Sequence, residues 1–133
     1  MFDVDASRMA WTASIPARSR WVSTGAILSP GTAYSLSATG RWCDGYIPCD
    51  PEGYASNSRL LRFLEWTRRA HHANWFGLIG AVDSARNYLF VIGAQIIYRP
   101  SRRGELLCFA NDALIAYWND HGQVTLHIKV IQE

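Results

Sequence analysis

Hydrophobic and polar residues alternate with a period of two in two runs of this chain. In residues 33–38, Tyr34, Leu36 and Ala38 fall on one side and Ser35 and Ser37 on the other. In residues 123–130, Val124, Leu126, Ile128 and Val130 alternate with Gln123, Thr125, His127 and Lys129. Successive side chains of a strand point to opposite faces, so each run predicts a strand with one face in a core and one in water. Shorter apolar runs predict further strands at 21–24, 76–82, 88–92 with a continuation to Tyr98, and 105–110. The glycines of the 76–82 run would admit close backbone approach. Ser29-Pro30-Gly31 and the 100–104 segment read as turns, and residues 40–53 as a loop rich in Gly, Pro and Asp. Residues 58–72 break the pattern. Ser58 could cap a helix with Leu60, Leu61 and Leu64 inside and Arg62 and Glu65 outside, but Phe63 and Trp66 spoil the stripe and leave helix and extended chain equally matched. Short strands punctuated by turns roughly every ten residues imply an all-β fold. The expected architecture is one small antiparallel β-sandwich over residues 1–133, galactose-binding-domain-like or jelly-roll-like.

Composition narrows the class further. With 133 residues, 49% hydrophobic and 18% charged, the chain can build a core and is not a disordered tail. Thirteen basic residues, all but Lys129 arginine, leave a formal charge of only +2, which argues against a large nucleic-acid footprint. Six Trp and six Tyr fit either a ligand-facing surface or a large core. Residues 1–10 carry Asp3 and Asp5 and lack the apolar run of a secretory signal. No apolar stretch approaches the ~20 residues of a membrane helix. The expectation is a soluble chain made in the cytoplasm, or released by a route that needs no signal peptide. Of the three cysteines, Cys43 and Cys49 flank a short Gly/Pro loop and could close it if oxidised, whereas Cys108 lies in an apolar run and reads as a core thiol.

The stretch 111–122, Asn-Asp-Ala-Leu-Ile-Ala-Tyr-Trp-Asn-Asp-His-Gly, carries the most chemistry. Asp112, Asn119 and Asp120 are short oxygen-bearing side chains of the kind that hold Ca²⁺, which takes roughly six to eight oxygens. The same residues are also ordinary turn formers.

The order of motifs resembles the LecA-like family of calcium-dependent galactophilic bacterial lectins, small β-sandwiches. The resemblance is carried by Ser29-Pro30-Gly31, the alternating strand leading to Gly40-Arg41-Trp42, the 76–82 strand, and above all Asn111-Asp112 with Tyr117-Trp-Asn-Asp-His-Gly122. It implies that Asp112 is a bidentate carboxylate ligand. Asn119 and Asp120 would each give a side-chain oxygen, and Ala116 and Asp44 a backbone carbonyl each. Those are six of the roughly eight oxygens calcium takes, leaving room for water or a sugar's vicinal diol. The family implies the 3- and 4-hydroxyls of galactose, and a homodimer or homotetramer. The family's His-Pro-Asp-Gln stretch, which contacts the sugar's outer hydroxyl, has no counterpart after Trp42. Tyr46, Glu52 and Tyr54 are the candidates to line that side, and Trp42 either stacks on the sugar or belongs to the core.

Other features read more plainly. Trp118 is expected to pack beneath the loop, and His121 to be a solvated turn residue. His71 and His72 do not share a face and so make a poor pair. Arg59, Arg62, Arg68 and Arg69 read as a solvated basic face. The leading expectation is a lectin binding galactosides or other glycans through Ca²⁺, without catalysis. The alternative is a structural or toxin-accessory module of the same fold that binds a protein or lipid surface. A hydrolase finds no support, since no Gly-x-Ser-x-Gly elbow or paired glycosidase carboxylates are visible.

Overall fold

The computed structural model describes residues 9–56, 58–83 and 88–131. Most of the segment 1–10, expected to be no secretory signal, lies outside them. Two antiparallel sheets face each other. The first runs β1 (Ala10–Pro16), β9 (Asp120–Ile131), β3 (Ala33–Asp44), β4 (Ile47–Cys49), with β7 (Gln95–Tyr98) also on β3. The second runs β2 (Val22–Leu28), β8 (Gly104–Ala110), β5 (Leu78–Val82), β6 (Phe90–Val91). The all-β sandwich expected from the alternation is thus the architecture found.

The inner faces are the ones the period-two pattern marks. Leu36, Val124, Leu126 and Ile128 of the first sheet are fully buried, as are Leu28, Leu78, Leu106 and Cys108 of the second. Gln123, His127 and Lys129 face out. Strand β1 is not among the strands expected above, although Trp11, Ala13 and Ile15 alternate with polar or small residues; its full-length pairing with β9 supplies what its short pattern lacks.

Several expectations are corrected. The 40–53 loop is mostly strand, because β9 offers β3 a continuous partner from Ala33↔Ile131 to Asp44↔Asp120. A long ladder outweighs the weak strand propensity of Gly40, Arg41 and Asp44. The 88–98 run is split. Phe90–Val91 joins the second sheet and Gln95–Tyr98 the first. The chain changes sheets at Gly93, where the Ile92 and Gly93 N–H groups both donate to the Leu78 carbonyl. At Gly80 it is a side chain rather than backbone that comes close, since a Cβ there would lie 2.7 Å from the Phe90 ring.

Residues 58–72 contain a short helix α1 (Arg59–Phe63), capped by the Ser58 hydroxyl accepting from Leu61 N–H at 3.1 Å, then a 3₁₀ turn at Glu65–Thr67. None of the helix residues is buried. The next residues fold over the outer face of the second sheet, where Ala70 and Ala73 pack with Ile79 and Phe109. That cover is why all five residues of β5 are buried. Arg68 and Arg69 are therefore not a solvated face. Arg68 is 7% exposed over the Trp75 ring, and the Arg69 guanidinium lies 3.5 Å from the Phe109 ring centroid. Arg59 and Arg62 are exposed as expected. Among the described residues no helix is long and apolar enough to cross a membrane.

All three cysteines are free. Cys49 sits opposite Trp42, and Cys43 opposite Pro48, so the two thiols point to opposite faces of the sheet and do not close the loop. Cys108 is fully buried. Burial pushes the Cys49 thiol up to about 12 and raises Cys108 as well. In the native protein a thiol reagent is expected to label only the half-buried Cys43 promptly, and to reach Cys49 and Cys108 after denaturation. A Cys43–Cys49 disulfide found by mass spectrometry of the native protein would contradict this register.

Candidate metal centre and its cleft

Two carboxylates are brought together by strand register. Asp44 ends β3 and Asp120 begins β9, and they are directly paired across the ladder. Like charges so placed repel. A third carboxylate, Asp112, arrives from the other sheet, two residues past the end of β8. Each residue offers an oxygen such that all three lie within 4.8 Å of one another.

These groups are poorly hydrated and poorly bonded. Asp112 is 3% exposed and Asp120 1%. Asp112 Oδ1 accepts the Ala113 N–H at 2.8 Å, and Asp44 Oδ2 accepts the Tyr54 hydroxyl at 2.5 Å. Asp112 Oδ2 and both Asp120 oxygens have no donor. Burial, reinforced by Asp44, pushes the Asp112 carboxyl up to about 6. Burial and the neighbouring Asp112 push Asp120 up to about 9, with Arg18 offsetting only part. Burial also raises Asp44, against the lowering effect of the Tyr54 bond. An uncompensated buried carboxylate is costly. Three together, with Asp112 Oδ2 and both Asp120 oxygens lacking a donor, need either protons or a cation.

The remaining expected ligands lie around this cluster. Ala116 lines the same cleft as Asp44 and Asp112. Its carbonyl accepts only a long bond, 3.4 Å, from Asn119 N–H. Asn119 closes a 3₁₀ turn, Tyr117–Asn119, just before Asp120. Its Nδ2 approaches Gly45 so closely that a Cβ there would stand 3.3 Å away, and Gly45 has φ of +60°. Glycine thus serves both the β3–β4 turn and the fit of Asn119. For Asp44 the side chain joins the cluster, where the resemblance implied the backbone carbonyl.

The expected sugar-contacting residues separate. Trp42 is fully buried and packs edge-on to Phe76 at 5.6 Å, so it belongs to the core and cannot stack on a sugar. Glu52 is occupied elsewhere, its carboxylate accepting the Ala94 N–H at 2.6 Å to hold the turn between sheets. Tyr54 stands behind Asp44, and its hydroxyl bond orients that carboxylate. Tyr46 is fully exposed at the tip of the β3–β4 turn, beside Gly45. Trp118, expected beneath the loop, is 75% exposed. His121 is exposed as expected, but it lies in β9 opposite Cys43 rather than in a turn.

The wall that sequence reading missed comes from residues 61–75. A cleft of about 680 Å³ extends from Asp44 and Asp112, with Leu61, Leu64, Trp66 and His71 on one side and Leu114 and Ile115 on the other. Asn111 fixes this wall. It is fully buried, its Oδ1 accepts the Ala70 N–H, and its Nδ2 donates to the carbonyls of Ala70 and Asn74 at 2.9 Å and of Ala73 at 3.3 Å. Tyr117 and Arg69 tie down the opposite side. The Tyr117 hydroxyl donates to the Ala110 carbonyl at 2.6 Å and accepts from Arg69 at 2.9 Å. The one sequence signal for the wall was the apolar content of 60–66, ambiguous without its partner.

Fold and site together define an antiparallel β-sandwich in which a buried cluster of three carboxylates lies where strands of the two sheets meet. A solved structure described as the EclA N-terminal domain, a PllA-like lectin, matches with a TM-score of 0.69 over 94% of this chain and 99% of that chain, at 18% identity. That likeness establishes the shared fold. No family model and no curated protein matches the chain.

Proposed function

We propose that this domain is a calcium-dependent carbohydrate-binding lectin that recognises galactose or a related sugar through a vicinal diol. The observation that supports it most is the set of buried carboxylate oxygens of Asp112 and Asp120 that lack any donor, facing Asp44. The cluster offers oxygen and neither His nor Cys, which suits a hard cation rather than zinc. Asp44, Asp112 and Asp120 would hold the ion, with Asn119 and the Ala116 carbonyl as neutral donors. When bound, the ion supplies coordination positions that two adjacent sugar hydroxyls can take in place of water. Asp112 and Asn119 would accept hydrogen bonds from those hydroxyls, Tyr54 would keep Asp44 oriented, and the 61–75 wall would border the rest of the ligand. The likeness in fold to a PllA-like lectin agrees with this reading. The reading is one of binding without catalysis, by a homodimer or homotetramer that gains avidity from several sites.

Calorimetric titration with calcium, then with galactose, tests it, and a glycan array with and without chelator extends it to other sugars. Galactose or another array glycan is expected to bind only with calcium present. Asp112→Ala is expected to weaken calcium at least about a hundredfold, since even outer partners of metal ligands contribute 10–100-fold. Absence of calcium binding by the wild-type protein, or sugar binding that survives chelation, would overturn the proposal.

A further inference from the structure

Arg69 is a half-buried cation with no carboxylate beside it. Among the described residues the one ion pair belongs to its neighbour, Arg68 with Glu65 at 3.7 Å. Arg69 is held by rings and by one of its nitrogens instead. Its guanidinium lies 3.5, 4.7 and 5.6 Å from the ring centroids of Phe109, Trp21 and Tyr117. Its Nη1 donates to the Arg20 carbonyl at 2.6 Å and to the Tyr117 hydroxyl at 2.9 Å. Those bonds occupy Nη1 alone, and a guanidinium also carries N–H donors on Nε and Nη2. Among the described residues neither of these has an acceptor, and neither is one of the buried atoms left without a partner, so this edge faces water.

The Nε–Nη2 edge is the fork that grips a carboxylate, phosphate or sulfate through two parallel bonds. Stacking on the rings fixes the plane of the guanidinium, so little freedom remains to be lost when an anion arrives. Cation–π contact stabilises the charge without neutralising it. The surroundings suit an anion too. Three clefts adjoin at Arg69: that of the carboxylate centre, one of about 220 Å³ beside Trp21, Leu89 and Leu114, and one of about 330 Å³ beside His71, His72 and Leu89. Asp44 and Asp112 border only the first, and no acid lines the other two. The exposed Arg20 adds a further cation nearby, its Nε donating to the Leu114 carbonyl at 3.1 Å.

We propose that Arg69 forms an oxyanion site, its Nε–Nη2 edge taking a phosphate, sulfate or carboxylate group that lies in the acid-free clefts. The site needs neither calcium nor sugar, so it stands apart from the lectin reading. The group is either a free ion or an acidic substituent of a bound glycan, and the chemistry that holds it is the same.

Proton–nitrogen correlation spectra of the arginine Nε–H groups test it, with inorganic phosphate titrated in chelator at constant ionic strength. The Arg69 resonance, displaced by the Phe109 ring beneath it, is expected to shift saturably. It should do so at a phosphate concentration at least about tenfold below any response of the exposed Arg59 and Arg62. Arg69→Lys keeps the charge but loses the fork, and is expected to bind phosphate at least about tenfold more weakly. That variant also loses Nη1 contacts, so its folding is checked by thermal melting, and the wild-type spectrum carries the test if it does not fold. Calorimetry with galactose and galactose 6-sulfate in calcium separates the two sources. A sulfated sugar bound at least about tenfold more tightly, with the preference lost in Arg69→Lys, assigns the anion to the glycan. Equal affinities beside a retained phosphate response assign a free ion. Failure of galactose itself to bind would count against the lectin reading and leave the phosphate result standing. An Arg69 resonance that stays still or moves in step with those of Arg59 and Arg62, or phosphate binding unchanged in Arg69→Lys, would overturn the site.

Discussion

With calcium chelated, the domain is expected to become less stable as the pH rises from about 4 through neutrality, and added calcium is expected to reverse that trend. The folded protein holds Asp112 up at about 6 and Asp120 up at about 9, against 3.8 for an ordinary aspartate. Between those values the native state binds more protons than the unfolded chain, so stability falls with rising pH. The stabilising contribution is complete below about 4, and is lost as the pH passes through about 6 for Asp112 and on toward 9 for Asp120. A tenfold difference in proton affinity between the folded and unfolded chain is worth about 1.4 kcal/mol, so proton uptake by the coupled Asp112–Asp120 pair should change stability by on the order of a few kcal/mol across this range.

A divalent ion would replace the protons. Saturation at a hundredfold excess over the dissociation constant stabilises by about 2.7 kcal/mol, or about 10 °C in Tm for a chain of this size. The calcium-induced rise in Tm should therefore be larger at pH 7.5 than at pH 5. Asp120→Asn separates the two effects. In chelator near neutral pH it should raise stability by about 2 kcal/mol, because the Asp120 carboxyl, ionised in the unfolded chain, must take up a proton to be buried, and the amide need not. In calcium it should lower stability relative to wild type. Scanning calorimetry across pH checks both. A wild-type Tm in chelator that rises from pH 5 to pH 8 would count against an uncompensated carboxylate cluster.

The second large effect is expected at Asn111. Asn111→Ala should cost about 4 kcal/mol, because the Ala70 N–H and the carbonyls of Ala70, Ala73 and Asn74 lose a buried partner, each at about 1–3 kcal/mol when nothing replaces it. That corresponds to a fall in Tm of about 15 °C. Asn111→Asp should be at least as damaging. It has the same size, but it trades the Nδ2 donor for a carboxylate facing those carbonyls. The residue also positions the cleft wall, since the segment it holds carries Arg69 over Phe109 and His71 into the cleft. Hydrogen exchange in the variant should rise first in residues 69–77. A drop in Tm of under about 4 °C would show that water fills the vacated place.

The sandwich was legible because its strands bury one face only. Leu36 and Ala38 in β3, and Val124, Leu126 and Ile128 in β9, announce their orientation by position alone. Legibility failed where a partner distant in sequence decided the outcome. Gly40 to Asp44 looks like loop and is strand because β9 runs alongside it. Residues 68–73 look like a solvated basic stretch, and instead cover the outer face of β5 and β8, with Arg69 set on Phe109. Trp42 and Trp118 could each have been inside or outside. The first is fully buried and the second 75% exposed, because Trp42 points between the sheets while Trp118 lies on a turn with nothing above it.

The sequence by itself determined the class of fold, the inward faces of the long strands, and the acidic loop containing Asp112, Asn119 and Asp120. Those properties are local, set by side-chain periodicity and by residues close together along the chain. Only the tertiary structure decided that Asp44 meets Asp120 across a ladder, that Asp112 joins them from the other sheet, and that residues 61–75 wall the cleft. Pair repulsion, burial and missing donors depend on distances between remote segments. No reading of one strand at a time contains those distances.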